Sequence, residues 1–153
     1  MHNPVNTFIS FGLLISVVGG SFYYVYDTAP IKPWTGITLG LTITPQAAET
    51  LGLERDHGFL IITIAPSSPA DRAGLRDGSG DNPVIINEQQ VSVDGDIIVS
   101  MDGREINQLE DICAVLAQKQ VGDSVRFEVF RNGSLQQANV TLEELPPGEG
   151  TTC

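Results

Sequence analysis

Trp34-Thr35-Gly36-Ile37 sets a large aromatic, a hydroxyl, a glycine and a β-branched residue in a row, at the head of the run TGITLGLTIT (35–44). Glycine lets the backbone turn so that consecutive N–H groups face one anion, a small nest with binding chemistry. Residues for bond-breaking chemistry do not fall into any such pattern. The two histidines, His2 and His57, are far apart, and neither accompanies a G-x-S-x-G serine. A serine–lysine dyad would need Lys32 or Lys119, and no motif surrounds either. Cys113 falls in an apolar helical pattern, expected in the core, and Cys153 ends a Gly/Thr tail. Two cysteines so placed define neither a disulfide framework nor a metal site. The chain therefore reads as a non-enzyme, with no metal and no cofactor expected.

No Asp, Glu, Lys or Arg precedes Asp27, so the formal net charge of −11 belongs to residues 27–153. That acidity excludes sequence-independent nucleic-acid binding, which needs a Lys/Arg surface to displace counterions from phosphate. It equally excludes a polybasic membrane patch. The 153 residues suffice for one domain of about a hundred residues plus an appendage.

The appendage is expected at the front. FISFGLLISVVGGSFYYVY (8–26) carries no ionisable side chain except tyrosine. As a helix, its length of about 28 Å would match the roughly 30 Å hydrocarbon core of a bilayer. Phe22, Tyr23, Tyr24 and Tyr26 crowd one end, where aromatic rings favour the interface. A cleaved signal peptide competes with this reading. However, MHNPVNT lacks Lys and Arg and the apolar stretch is long. The expectation is a single transmembrane helix over 1–26, a linker over 27–33, and insertion in the lipid bilayer through 8–26. Gly12, Ser16 and Gly20 would form one helical stripe of small residues against which a second membrane helix packs. The free amino terminus before the span and Asp27 after it favour an extracytoplasmic domain. Two glycosylation sequons, at Asn132 and Asn139, lean the same way.

Beyond residue 34 short strand patterns alternate with helical ones. TGITLGLTIT and GFLIITIAP (58–66) read as strands, and PQAAETLGL (45–53) as a short helix. SPADRAGL (68–75) has a serine placed to cap a helical turn or two, and DIIVSMDG (96–103) is a strand entering a turn. LEDICAVLAQKQ (109–120) reads as a helix. SVRFEVFRNGSLQQANVTLEEL reads as a hairpin turning at Asn132-Gly133. PPGEGTTC (146–153) reads as a disordered tail.

In this order, WTGI, SSPADRAGL, GDIIVSMDGREI and VGDSVRFEVFRNG resemble the PDZ domains that follow the protease domain in HtrA/Deg-type serine proteases. The resemblance covers residues 34–145. It implies an α+β fold, a partly open β-barrel or sandwich of five or six strands capped by two helices. The His–Asp–Ser protease domain of such enzymes, some two hundred residues, has no room here. RDGSGDNPVIINEQQVSV (76–93) departs from the common pattern as an insertion in which VIIN and QQVSV can pair.

The resemblance also assigns roles. Trp34, Thr35, Gly36 and Ile37 occupy the position of a carboxylate-binding loop. A partner's C-terminal peptide would then add as a strand beside Ile37, Thr38, Leu39 and Gly40. The helix of residues 108–119 would form the opposite wall, with Ile112 and Leu116 lining the groove and Leu109 and Cys113 in the core. No histidine starts that helix, so an apolar terminal residue is expected in the ligand. Affinity should be micromolar, about −8 kcal/mol. The expected function is a membrane-anchored, non-catalytic module for C-terminal tails of membrane-proximal partners. The alternative is an accessory structural subunit of a membrane protein complex, assembled through the helix and the insertion.

Overall fold

The computed structural model describes residues 13–18, 21–26, 31–78, 80–81, 83–86, 88–151 and 153. The chain divides into two compact units, Met1–Pro30 and Ile31–Cys153. In the first, β1 (Leu13–Val18) and β2 (Ser21–Tyr26) pair antiparallel, from Leu13↔Tyr26 to Val18↔Ser21. This hairpin stands where a spanning helix was expected. Among the described residues, no helix is long and apolar enough to cross a membrane. The local cause is composition: Ile15, Val17, Val18, Phe22, Tyr23, Tyr24 and Val25 are strand formers, and Gly19-Gly20 lies between the two runs. Ser16 lies in β1 opposite Tyr23, while Gly12 and Gly20 of the expected stripe lie outside the described residues. So do residues 27–30 of the expected linker.

The second unit runs β3 (Pro33–Trp34), β4 (Ile37–Ile43), α1 (Pro45–Leu51), β5 (Gly58–Ile64) and α2 (Pro69–Arg72). It continues through β6 (Pro83–Ile86), β7 (Gln89–Ser92), β8 (Ile97–Met101), β9 (Arg104–Glu105) and α3 (Leu109–Leu116). β10 (Ser124–Arg131), β11 (Ser134–Thr141) and β12 (Glu143–Glu144) complete it. The main sheet has the order β11-β10-β8-β5-β4, with β9 beside β8 and every pairing antiparallel. β12 pairs with β3, so the chain near residue 144 returns to the start of the unit. Three short helices accompany the strands, one more than the two caps the resemblance implies, and Pro45–Leu51 is the short helix read from the sequence at 45–53. Thr44 accepts the Ala47 N–H at its start and Gly52 ends it at φ 66°.

One corner of the sheet is closely packed. Gly95 lies so close to β5 that a Cβ there would fall 2.1 Å from the Ile61 carbonyl oxygen. Next to it, Asp96 is 1% exposed yet fully engaged. It accepts the Arg76 N–H at 2.9 Å, and both Nε and Nη2 of Arg131 at 2.6 Å. Arg131 Nη2 also donates to the Gly74 carbonyl at 2.8 Å. The carboxylate bonds hold the guanidinium above its usual pKa, against the cost of desolvation. Buried charge is tolerable here because it is paired and bidentate.

The hairpin of β10 and β11 turns at Asn132-Gly133, both at positive φ, 48° and 77°, as a two-residue connection favours. Phe59, Ile61, Ile98, Met101, Phe127 and Leu142 form the centre of the larger core cluster. A second cluster gathers Ile43, Leu60, Val93 and Ile97 on the other side of the sheet. In the insertion, β6 and β7 form their own hairpin, and Ile85 at its edge is 76% exposed.

The last residues are not the free tail that composition suggests. Leu145 N–H donates to the Lys32 carbonyl at 3.2 Å, and Trp34 Nε1 donates to the Gly150 carbonyl at 3.2 Å. Cys153 is disulfide-bonded to Cys113, with Cα atoms 5.5 Å apart across 40 residues of sequence. Topology explains the meeting. The β10–β11 hairpin carries the chain out and back, so Leu142 hydrogen-bonds Asp123 and Gly122, just beyond α3.

Candidate functional site: the loop at the head of β4

The loop is shaped by what its carbonyls do. Thr35 C=O accepts the Ala70 N–H at 2.8 Å, and Gly36 C=O accepts the Ala65 N–H at 2.8 Å. Both carbonyls therefore face the 65–70 segment. Because a trans peptide is planar, the N–H of the same units, those of Gly36 and Ile37, must point the opposite way. Gly36 sits at φ 94°, and a Cβ there would fall 2.1 Å from Ser68 Cβ, so only glycine fits. Ser68 is itself fixed, buried and capping α2 through the Asp71 N–H.

These two amides are the pair that the sequence reading assigns to a carboxylate-binding loop. The Ile37 N–H donates to Thr35 Oγ1 at 3.2 Å. A side-chain hydroxyl thus stands where an incoming carboxylate oxygen could accept instead. Trp34 is only 5% exposed and packs the loop from behind.

β4 leads away from this loop as the last strand of its sheet. Its neighbour is β5 on one side, with register shifts at Ile37/Leu39 and Leu39/Gly40. Thr38 Oγ1 donates to the Thr63 carbonyl at 3.3 Å, while Leu39 is 51% exposed. The opposite side is thus a row of backbone groups beside an exposed apolar side chain.

The helix residues chosen from sequence need correcting. Ile112 and Leu116 are 2% and 5% exposed and belong to the core cluster that also holds Ile37. Leu109, expected inside, is half buried and packs against that cluster, whereas Cys113, also expected inside, is half buried. The helix turns by about 100° per residue, so burying Ile112, Val115 and Leu116 together leaves Cys113 on the flank, while Leu109 stays near the line of Leu116. The sequence pattern is equally apolar on both choices of face, which is why it misled. Cys113 is the side chain that the reading missed at this wall.

His57 is engaged by its chain neighbours, with Nδ1 2.6 Å from Asp56 Oδ1 and Nε2 2.8 Å from Arg55 Nη2. Among the described residues, no group of three or more His, Cys, Asp or Glu could hold a metal ion.

An antiparallel sheet with β4 at its edge, three short helices and a buried Gly-Asp corner define a fold of the PDZ type. The chain belongs to the PDZ domain family, whose profile matches residues 38–142. It is of the kind found in HtrA/Deg-type proteases. "Protease Do-like 1, chloroplastic" of Arabidopsis thaliana is 34% identical over 143 residues, 90% of this chain and 29% of that protein. "Magnetosome formation protease MamE" of Magnetospirillum gryphiswaldense is 32% identical over 114 residues, 72% of this chain and 12% of that protein. The chain therefore spans less than a third of these relatives' length, and the match is to a PDZ domain, which is itself non-catalytic.

Among solved structures, the "HtrA-type protease AlgW with decapeptide" has TM-score 0.58 and 25% identity. The alignment covers 76% of this chain and 30% of AlgW. The HtrA3 PDZ domain bound to a phage-derived ligand (FGRWV) has TM-score 0.56 and 23% identity. That alignment covers 75% of this chain and 88% of the HtrA3 domain, and it supports the fold alone.

Proposed function

We propose that this domain binds the C-terminal segment of a partner protein by strand addition along β4, with the Gly36 and Ile37 amides receiving the terminal carboxylate. The observation that carries this reading is the position of the nest at the open end of an edge strand. A peptide entering there gains main-chain bonds along Thr38–Gly40 and apolar contact with Leu39. AlgW, solved with a decapeptide, lends support from a similar fold.

The module is tethered to a membrane through residues 8–26 and lies outside the cytoplasm. Support for the tether is the length of the uncharged run. A lone two-stranded hairpin leaves its edges unsatisfied in hydrocarbon, so within a bilayer this run would be helical. The Cys113–Cys153 bond supports an oxidising compartment. The tethered groove reaches only tails presented near the membrane.

The test is retention of a C-terminal peptide library by the full chain in mild detergent, with amidated copies as controls. Preference for free carboxylates is expected, and equal retention of amidated peptides would overturn the reading. Alkaline extraction of membranes holding the chain tests the tether, and release into the supernatant would remove it.

A second reading, an accessory subunit of a membrane complex, is favoured by the exposed Ile85 on the inserted hairpin. It predicts stable co-purification that survives Gly36→Ala but is lost on Ile85→Lys.

A further inference from the structure

The main sheet has two ends, and β11 forms the one opposite β4. Its pairing with β10 runs from Arg131↔Ser134 to Ser124↔Thr141 without a register shift. SLQQANVT (134–141) contains no charged residue and no proline. Edge strands are ordinarily guarded by charge, proline or a bulge, as β4 is by its register shifts. β11 has none of these guards. α2 packs against β11 through the core, where Ala70 shares a cluster with Val140. Among the described residues, no backbone bond outside the β10 ladder engages Ser134–Thr141.

Leu142 continues the same register, and its N–H donates to the Asp123 carbonyl at 2.8 Å. Even-numbered residues of β11 therefore turn their amides towards β10, and the alternate residues turn theirs away. Leu135, Gln137 and Asn139 present N–H and C=O groups at the edge. All three side chains are exposed, Leu135 at 55%.

We propose that β11 is a self-association edge, where two copies of this chain pair antiparallel about a two-fold axis at Gln137. An axis normal to the sheet sets Gln137 against Gln137, and Leu135 against Asn139 of the second copy. These are the residues whose backbone groups face outward, so the seam closes with about six main-chain hydrogen bonds. No like charges oppose one another there, whereas the net charge of −11 works against most other self-contacts. An uncharged strand that matches itself fits a second copy better than a partner recognised by charge. A one-strand seam is smaller than the roughly 1,600 Å² of a standard interface, so the pairing is weak and reversible. The joined sheet carries β4 at both outer ends and leaves both of those edges open. The inference does not depend on the peptide-binding reading.

Sedimentation of the full chain in mild detergent, over a concentration series, reads the pairing. Gln137→Pro deletes an N–H that only the second copy uses and leaves the β10 ladder whole. Gln137→Lys sets like charges opposite one another on the axis. Either change should raise the dimer dissociation constant about tenfold, with far-UV circular dichroism unchanged. Added salt should favour the unaltered dimer, because it screens repulsion between acidic copies. Residues 8–26 give copies another way to meet in detergent, so a short bismaleimide crosslinker checks the position. Gln137→Cys should join to itself, whereas Thr141→Cys, about 26 Å from its counterpart, should not. A chain that stays monomeric at every concentration would overturn the proposal. So would a dimer that both variants leave intact, or equal crosslinking at the two positions. If Gln137→Pro unfolds the domain, Gln137→Lys alone decides.

Discussion

Two glycine-centred turns in this domain look alike in sequence and do opposite work. At Gly95-Asp96 the glycine admits the β5 backbone, and the carboxylate is consumed internally by Arg76 and Arg131. At Thr35-Gly36-Ile37 the glycine turns two amides away from the protein, and one of them is held only by a neighbouring hydroxyl. The first turn is closed by interactions that nothing in solution could improve. The second is closed by a weak local acceptor that a charged oxygen can replace. A conformational requirement for glycine therefore does not mark a binding site; what its polar neighbours already bond to does.

Substitutions at the two turns should separate stability from binding. The largest effect is expected for Asp96→Ala, which leaves the Arg131 guanidinium without its buried partner. It should cost about 3–5 kcal/mol in urea denaturation, and peptide retention should fall only as the domain unfolds. Gly36→Ala should cost less, about 1–3 kcal/mol, from strain at positive φ and the displacement of Ser68. It should cut peptide retention about tenfold or more in molecules that remain folded. Retention unchanged by Gly36→Ala would erase the contrast between the turns.

Thr35→Val sharpens it. Losing one neutral hydrogen bond should cost about 1 kcal/mol, yet removing the internal competitor should raise affinity for free-carboxylate peptides a few-fold. Weaker binding would mean that the hydroxyl contacts the ligand itself.

The smallest effect belongs to a pair outside both turns. Asp102 accepts from Lys119 and from the Arg126 N–H, and these bonds lower its pKa below 3.8. A depressed carboxylate stabilises the fold above its unfolded value and loses that contribution as pH falls through its folded value. Stability should therefore drop below about pH 4, and Asp102→Asn should flatten that part of the melting-temperature profile.

Much of this was legible in the residues. The strands at 58–64 and 97–101, the Asn132-Gly133 turn and the cap at Ser68 follow from local rules that tertiary context did not override. The glycine-centred turn at 36 was legible as well, because its need for glycine is a backbone property. Three features were not. Which flank of α3 faces the core depends on packing, since Leu109 and Cys113 are as apolar as Ile112 and Leu116. The sulfur bridge depends on a long hairpin returning the chain to a helix 40 residues upstream, which spacing alone does not reveal. In residues 8–26, length and lack of charge favour a helix in hydrocarbon, whereas β-branched and aromatic content favours strands without it.

The two register shifts in β4 have a consequence for self-association. A straight, exposed edge invites further copies to pair with it and build a ladder. Shifts at Ile37/Leu39 and Leu39/Gly40 bend the edge within a few residues, so a matching strand stays in step only briefly. Copies of this chain, even crowded together, meet at β4 an edge too short in register to seed an aggregate.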